Sequence, residues 1–178
     1  MVVETRASPL QDGKSGDSDP KVVDNVIVRF AGDSGDGMQI TGSFFTHNSA
    51  LVGNDISTLP DFPAEIRAPA GTTFGVSAFQ INFGATVIKT SGDDCDMVVA
   101  MNPAALKVVL PELKLAGLIL VDSGTFTERN LHKAHYHTNP LEDGSLTPYR
   151  LIELDISAMT LEAVKKFGLG KKEALRCK

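Results

Sequence analysis

The chain has 178 residues, with 17 Lys and Arg against 22 Asp and Glu for a net charge of −5, and is 42 % hydrophobic but only 6 % aromatic. That balance excludes a wholly disordered polymer and suits a single domain large enough to bury a proper core. Two cysteines, Cys95 and Cys177, exclude a self-contained four-cysteine cluster or zinc site and offer no disulfide framework, which points to a reducing, cytoplasmic setting. No apolar run reaches the roughly 20 residues of a membrane span, and residues 1–21 lack the apolar stretch of a secretory signal.

Residues 1–24 show neither helical nor alternating apolar spacing and are expected to form a flexible lead-in. The folded part starts at Asn25, where the β-branched run Val26–Ala31 has the character of a buried strand. Gly32-Asp33-Ser34-Gly35-Asp36-Gly37 follows, then a helix from Met38 to Leu51 with Gly53 as its stop. Asp55–Leu59 fits a second strand. Residues 60–73 hold Pro60, Pro63 and Pro69, which forbid a regular helix and disfavour a central strand, so a long functional loop is expected.

Val76–Phe83 alternates polar and apolar residues, as a strand with one wetter face does. Asp96–Met101 is a short apolar strand, and Asn102-Pro103 opens a helix with a capping Asn and a first-turn Pro. Gly117–Asp122 and Leu151–Ile156 supply two more strands, and Ser157 is expected to cap a last helix over Met159–Phe167. Strands alternating with helices predict an α/β fold: a mostly parallel sheet flanked by helices.

The charge is unevenly spread. Residues 25–164 carry sixteen acids against eight bases, whereas residues 165–178 carry six bases against Glu173 alone. An acidic, aromatic-poor body excludes a general nucleic-acid surface, and the basic tail fits a solvated helix end.

The glycine-rich turn carries the sharpest chemical signal. It joins a buried strand to a helix, where unpaired N–H groups and the helix dipole attract an anion. Neither common phosphate motif is satisfied: Ile40 stands where a dinucleotide fingerprint needs its third glycine, and Gly13-Lys14-Ser15 lacks a preceding strand. Asp33 and Asp36 would repel phosphate unless they turn outward to cap the helix.

Gly32-Asp33-Ser34-Gly35 mimics a serine-protease motif, but no His precedes Ser34. His132, His135 and His137 have no convergent Cys or carboxylate motif beside them and fit an exposed His-rich hairpin or loop. Asp93-Asp94-Cys95-Asp96 reads as a polar turn whose acids make Cys95 a poor nucleophile. Glu65 and Arg67 sit in the proline-stiffened loop, where they suit either an ion pair or a bidentate grip on a ligand carboxylate or phosphate.

Taken together, Val28–Gly37, Thr58–Thr72, Val99–Ala105 and Asn139–Gly144 make residues 25–178 resemble the γ-type domain of 2-oxoacid:ferredoxin oxidoreductases. The likeness is strongest to the form of that domain at the N-terminal part of the 2-oxoglutarate-specific α subunit. The resemblance implies a reaction in which 2-oxoglutarate and coenzyme A give succinyl-CoA and CO₂, with two electrons passing to ferredoxin. It implies that this domain docks coenzyme A and makes subunit contacts. Gly32, Asp33, Ser34, Gly35, Asp36 and Gly37 would meet the pyrophosphate, and the loop with Glu65, Arg67 and Gly71 would face coenzyme A or the catalytic domain.

Thiamine diphosphate, Mg²⁺ and iron–sulfur clusters would belong to the implied partners, a thiamine- and cluster-binding β subunit and the remaining α region. No catalytic residue is assigned to this chain, which is expected to be inactive alone. It stops within the helix expected near Lys171, whereas fused relatives continue. Two other readings remain open, a free-standing interaction or regulatory module and a nucleotide-binding oxidoreductase, the latter weakened by the broken fingerprint.

Overall fold

The run that follows Asp24 becomes β1 (Asn25–Asp33), a strand hydrogen-bonded on both sides and buried from Ile27 to Gly32. In the computed structural model residues 23–65 and 68–175 are described, so the expected lead-in lies outside them except for Val23 and Asp24. After β1 come α1 (Met38–Leu51), β2 (Asp55–Asp61), β3 (Val76–Gly84), β4 (Cys95–Ala100) and α2 (Pro103–Val109). β5 (Leu113–Asp122), α3 (Glu128–Lys133), β6 (Arg150–Leu154), α4 (Ile156–Val164) and α5 (Lys171–Ala174) complete the order.

The six strands form one sheet in the order β2-β3-β1-β4-β5-β6. β1, β4, β5 and β6 pair in parallel, while β3 is antiparallel to both β1 and β2. The expected α/β architecture is therefore present, with β3 alone running against the other five. Its antiparallel course follows from its connection, since the described residues between 62 and 75 contain no α-helix to carry the chain across a face.

Alternation along β1 separates two cores. Val28 and Phe30 join Met38, Phe79 and Ile81 beneath α1, where the Phe45 ring packs 5.4 Å from Phe30 and 5.2 Å from Phe83. Ile27 and Ala31 join Ala78, Val98, Ala100 and Ile119 on the opposite face, covered by Ala104, Ala105, Leu106 and Val109 of α2. α2 starts as its sequence dictates: Asn102 Oδ1 accepts from Ala105 N at 2.8 Å and Pro103 occupies the first turn.

Several expected boundaries move, among them the start of β5, which lies at Leu113 instead of Gly117, and β4, which spans Cys95–Ala100 instead of Asp96–Met101. β2 runs on through Pro60 to Asp61, which is possible because β2 is an edge strand and needs no ladder donor on its outer side. The last strand ends at Leu154 instead of Ile156, and the helix after it spans Ile156–Val164. Asp155, not Ser157, is its cap, with Oδ1 accepting from Ala158 N at 2.8 Å; Lys165–Phe167 then tightens into a 3₁₀ turn. A carboxylate bonds helix N–H groups better than a hydroxyl does. Among the described residues no helix is long and apolar enough to cross a membrane.

Candidate functional site

The chain leaves β1 toward the α1 face and leaves β4 toward the α2 face. Between the carboxyl ends of these neighbouring strands lies the switch point where open α/β sheets bind ligands. A crevice of ≈170 Å³ opens there, lined by Asp33, Asp36, Gly71, Met101, Asn102, Thr125, Asn130 and Lys133 among others. Its size suits a phosphate-sized group rather than a whole nucleotide.

The glycine-rich turn forms one wall. Gly37 is the N-cap of α1, in the left-handed region at φ 74°, and no side chain among the described residues caps the helix. Neither Asp33 nor Asp36 therefore caps the helix, the one arrangement that would have turned them outward from a phosphate. Asp36 folds back so that Oδ2 accepts from Asp33 N at 2.9 Å, and Asp36 N donates to Asp33 O at 2.8 Å. The Asp33 carboxylate accepts Gly71 N through both oxygens, at 3.0 and 2.9 Å. Ser34 N donates to Gly75 O at 3.2 Å. The two acids are thus engaged in holding the turn and the following loop together, while the first turn of α1 keeps its donors free of side-chain caps.

Gly32 is held close: a Cβ there would meet Asp36 Oδ2 at 2.9 Å and Met101 Cβ at 3.2 Å. A Cβ on Gly35 would meet nothing within 4 Å, so this exposed glycine has open space around it, although it is not among the residues that line the crevice. Of the proline-rich loop, Gly71 reaches the crevice, whereas Glu65 is exposed and not among its lining residues. Arg67 lies outside the described residues.

Lys133, with Thr125 and Asn130, lines the crevice without having been singled out by the sequence pattern. It closes α3, and its Nζ donates to Ala70 O at 2.9 Å, fastening the loop from the far side. The signal was present in sequence only as one base in a helix of mixed charge, with nothing to tie position 133 to position 70.

The His-rich segment divides. His132 sits on α3 and His137 beyond it, lining with Arg129 and Tyr136 a wide groove of ≈890 Å³. His135 is not among its lining residues and adopts φ 56° in the turn after α3. No group of three His, Cys, Asp or Glu among the described residues could hold a metal ion.

The expected polar turn is shorter than its sequence suggests, because Cys95 and Asp96 open β4 and only Asp93 and Asp94 precede it. Asp96 accepts from Ile27 N at 2.9 Å and from Lys114 Nζ at 2.8 Å, tying the start of β4 to β1 and β5. Cys95 is fully buried, its Sγ donating to Gln80 Oε1 at 3.4 Å. Its thiol is pushed up to about 11, chiefly by burial and only secondarily by the neighbouring acids, with the Arg29 guanidinium pulling the other way.

A raised folded value makes the native state hold its proton where the unfolded chain has lost it. That stability is fully present below pH 9 and is lost as pH climbs toward 11. Urea titrations should show this loss, up to about 2–3 kcal/mol, in the wild type and a flatter limb in Cys95→Ala. Parallel curves over that window would exclude burial as the cause. Tyr136, raised to about 12 by burial, affects both proteins alike.

Comparison with known proteins follows the same outline. Residues 27–173 match the family model described as pyruvate ferredoxin/flavodoxin oxidoreductase. The 2-oxoglutarate oxidoreductase subunit KorA of Mycobacterium tuberculosis is 52 % identical over 160 residues, 90 % of this chain. Those residues make up only 24 % of that relative, so the chain spans about a quarter of its length.

Among solved structures, the 2-oxoglutarate:ferredoxin oxidoreductase of Magnetococcus marinus, bound to 2-oxoglutarate, coenzyme A and succinyl-CoA, superposes with a TM-score of 0.61 at 18 % identity. The match covers 86 % of this chain and 23 % of that one. The γ subunit of a keto/oxoacid ferredoxin oxidoreductase from Geobacter sulfurreducens gives 0.56 at 16 % identity, covering 80 % and 67 % of the two chains. Pyruvate oxidoreductase subunit PORC from Thermotoga maritima gives 0.55 at 15 %, covering 86 % and 74 %. At such identities the structures establish a shared fold, while the family model spans nearly all of the described chain. On that match, this chain belongs to the pyruvate ferredoxin/flavodoxin oxidoreductase family.

Proposed function

We propose that the chain is the coenzyme A docking and subunit-contact domain of a 2-oxoglutarate:ferredoxin oxidoreductase. The complex would convert 2-oxoglutarate and coenzyme A to succinyl-CoA and CO₂, the two electrons released passing to ferredoxin. The observation that carries the docking role is the N-terminus of the 14-residue α1. Among the described residues it carries no side-chain cap, it lies at the switch point of the sheet, and Asp36, next to its N-cap Gly37, lines the same crevice as the Lys133 ammonium. Such a place suits one phosphate of an extended ligand, the remainder of which would lie across the surface.

In this reading Gly35 and Gly37 leave room for the pyrophosphate, Asp33 and Asp36 fix the turn that presents it, and Lys133 adds the positive charge. Gly71 holds the proline-rich loop beside them, and Glu65 and Arg67 of that loop are assigned a role in contacting the ligand or the adjoining domain. Thiamine diphosphate with Mg²⁺ and the iron–sulfur clusters are assigned to the β subunit and the remaining α region, which do the decarboxylation and carry the electrons. The setting is cytoplasmic.

Titration calorimetry with coenzyme A, NAD and ATP tests this on both the chain and the reconstituted complex. Selective binding of coenzyme A is expected, weakened about tenfold by Lys133→Ala and abolished by Gly35→Leu. The latter has free space around its Cβ and should fold normally. Absence of coenzyme A binding from both preparations would leave the free-standing interaction module as the surviving reading.

A further inference from the structure

α1 is an uncharged helix on an open surface. Its fourteen residues, Met38–Leu51, include no Asp, Glu, Lys or Arg, and His47 is their one ionisable side chain. The inward face is satisfied by Met38, Gly42 and Ser49 against the sheet, with Phe45 between two aromatic rings. The outward face nevertheless repeats apolar residues at helical spacing. Ile40, Phe44 and Leu51 are 63 %, 66 % and 72 % exposed, and Val52 continues the stripe. A helix that is apolar on both sides belongs between two layers, and soluble surfaces rarely leave such a patch uncovered.

The stripe is also shaped for a partner. A groove of ≈530 Å³ runs along Ile40, Phe44 and His47, and a second of ≈470 Å³ lies between α1 and the edge strand β2 at Thr46, Thr58 and Pro60. Ridges of a facing helix fill grooves of this kind.

The geometry points to the outer face of α1 as the seat of the remaining α region of the oxidoreductase, which would present an uncharged, apolar helix surface to it. This rests on the subunit role proposed above. Two observations select that occupant. Charge is absent from the whole helix, which suits a permanent interface resembling a domain core rather than a transient, charge-rimmed encounter. The aligned residues form only 24 % of the M. tuberculosis relative, so in that protein such a permanent neighbour is available within the same polypeptide.

The test is assembly of this chain with the remaining α region and the β subunit, comparing wild type with the double variant Ile40→Glu/Phe44→Glu. Both sites are exposed, so the variant should melt within a few degrees of the wild type. Its affinity for the α region should fall by about a hundredfold or more, because two charges would be buried unpaired. A photo-crosslinking residue at Phe44 should label the α region, and one at the exposed Val87 should not.

Equal assembly of variant and wild type would overturn this inference and leave the subunit role standing. Failure of the wild-type chain to assemble would overturn both. A wild-type homodimer that the variant converts to monomer would assign the face to a second copy and overturn the inference alone.

Discussion

Gly42→Leu is expected to cost about 3 kcal/mol of stability and lower the melting temperature by roughly 10 °C. Gly42 is buried in the middle of α1, and a Cβ built on it runs into the ring of Phe79 and comes within 2.8 Å of Phe79 Cβ. Phe79 cannot swing aside, since it is 7 % exposed and packed with Val28, Phe30, Met38 and Ile81. The helix must then lift from β3, loosening the Phe30–Phe45–Phe83 ring stack.

Gly42→Ala should be milder, about 1–2 kcal/mol, because alanine's helix propensity returns close to ~1 kcal/mol against the clash. Gly35→Ala serves as the control, with open space around the added methyl. Chemical denaturation of the three variants checks the order. Equal stability of Gly42→Leu and Gly35→Ala would show that α1 does not sit at this distance from β3.

The second large effect concerns Arg29, whose side chain is 7 % exposed in the centre of the sheet. Its guanidinium meets Asp61 Oδ2 at 2.6 Å, Glu112 Oε2 at 3.3 Å and Gln80 Oε1 at 3.1 Å, so one side chain of β1 ties together β2, β3 and the turn before β5. The partners are unequally placed, the Asp61 and Glu112 side chains being 49 % and 42 % exposed. Deleting the cation lets both carboxylates return to water, whereas deleting both carboxylates strands a buried cation.

Asp61→Asn/Glu112→Gln should therefore cost about 3–5 kcal/mol, while Arg29→Met, which keeps the packed stem, should stay within about 1 kcal/mol of the wild type. Paired urea titrations decide it. A larger loss for Arg29→Met than for the double variant would mean that the guanidinium, not its burial, is the stabilising element.

Arg29 also shows where sequence reading stops. The strand that carries it was legible from β-branched residues ahead of a glycine, as was the helix from Met38 to Leu51 with the turn between them. The Asn102-Pro103 helix start was equally plain, because each of these signals is local and acts within one turn or one strand. The N-terminal position of the glycine-rich turn on α1, and hence the candidate anion site, followed from the same local pattern.

The partners of each polar group were not legible. Asp33 and Asp36 read as helix caps or as repellents of phosphate, and only the tertiary structure turns one onto Gly71 N and the other back onto Asp33 N. Lys133 gained its place from a hydrogen bond to Ala70 sixty-three residues away. The reversal of β3 and the shift of a cap from Ser157 to Asp155 likewise depended on which neighbours were within reach.

The sequence alone thus determined an α/β chain with a glycine-rich turn between its first strand and first helix, and carried the resemblance to its family. Folding decided which acids are occupied, which lysine lines the crevice and which helix face is left bare. Periodicity and propensity act over a few residues, but a carboxylate or an apolar stripe acquires its role from groups that only the closed sheet brings near.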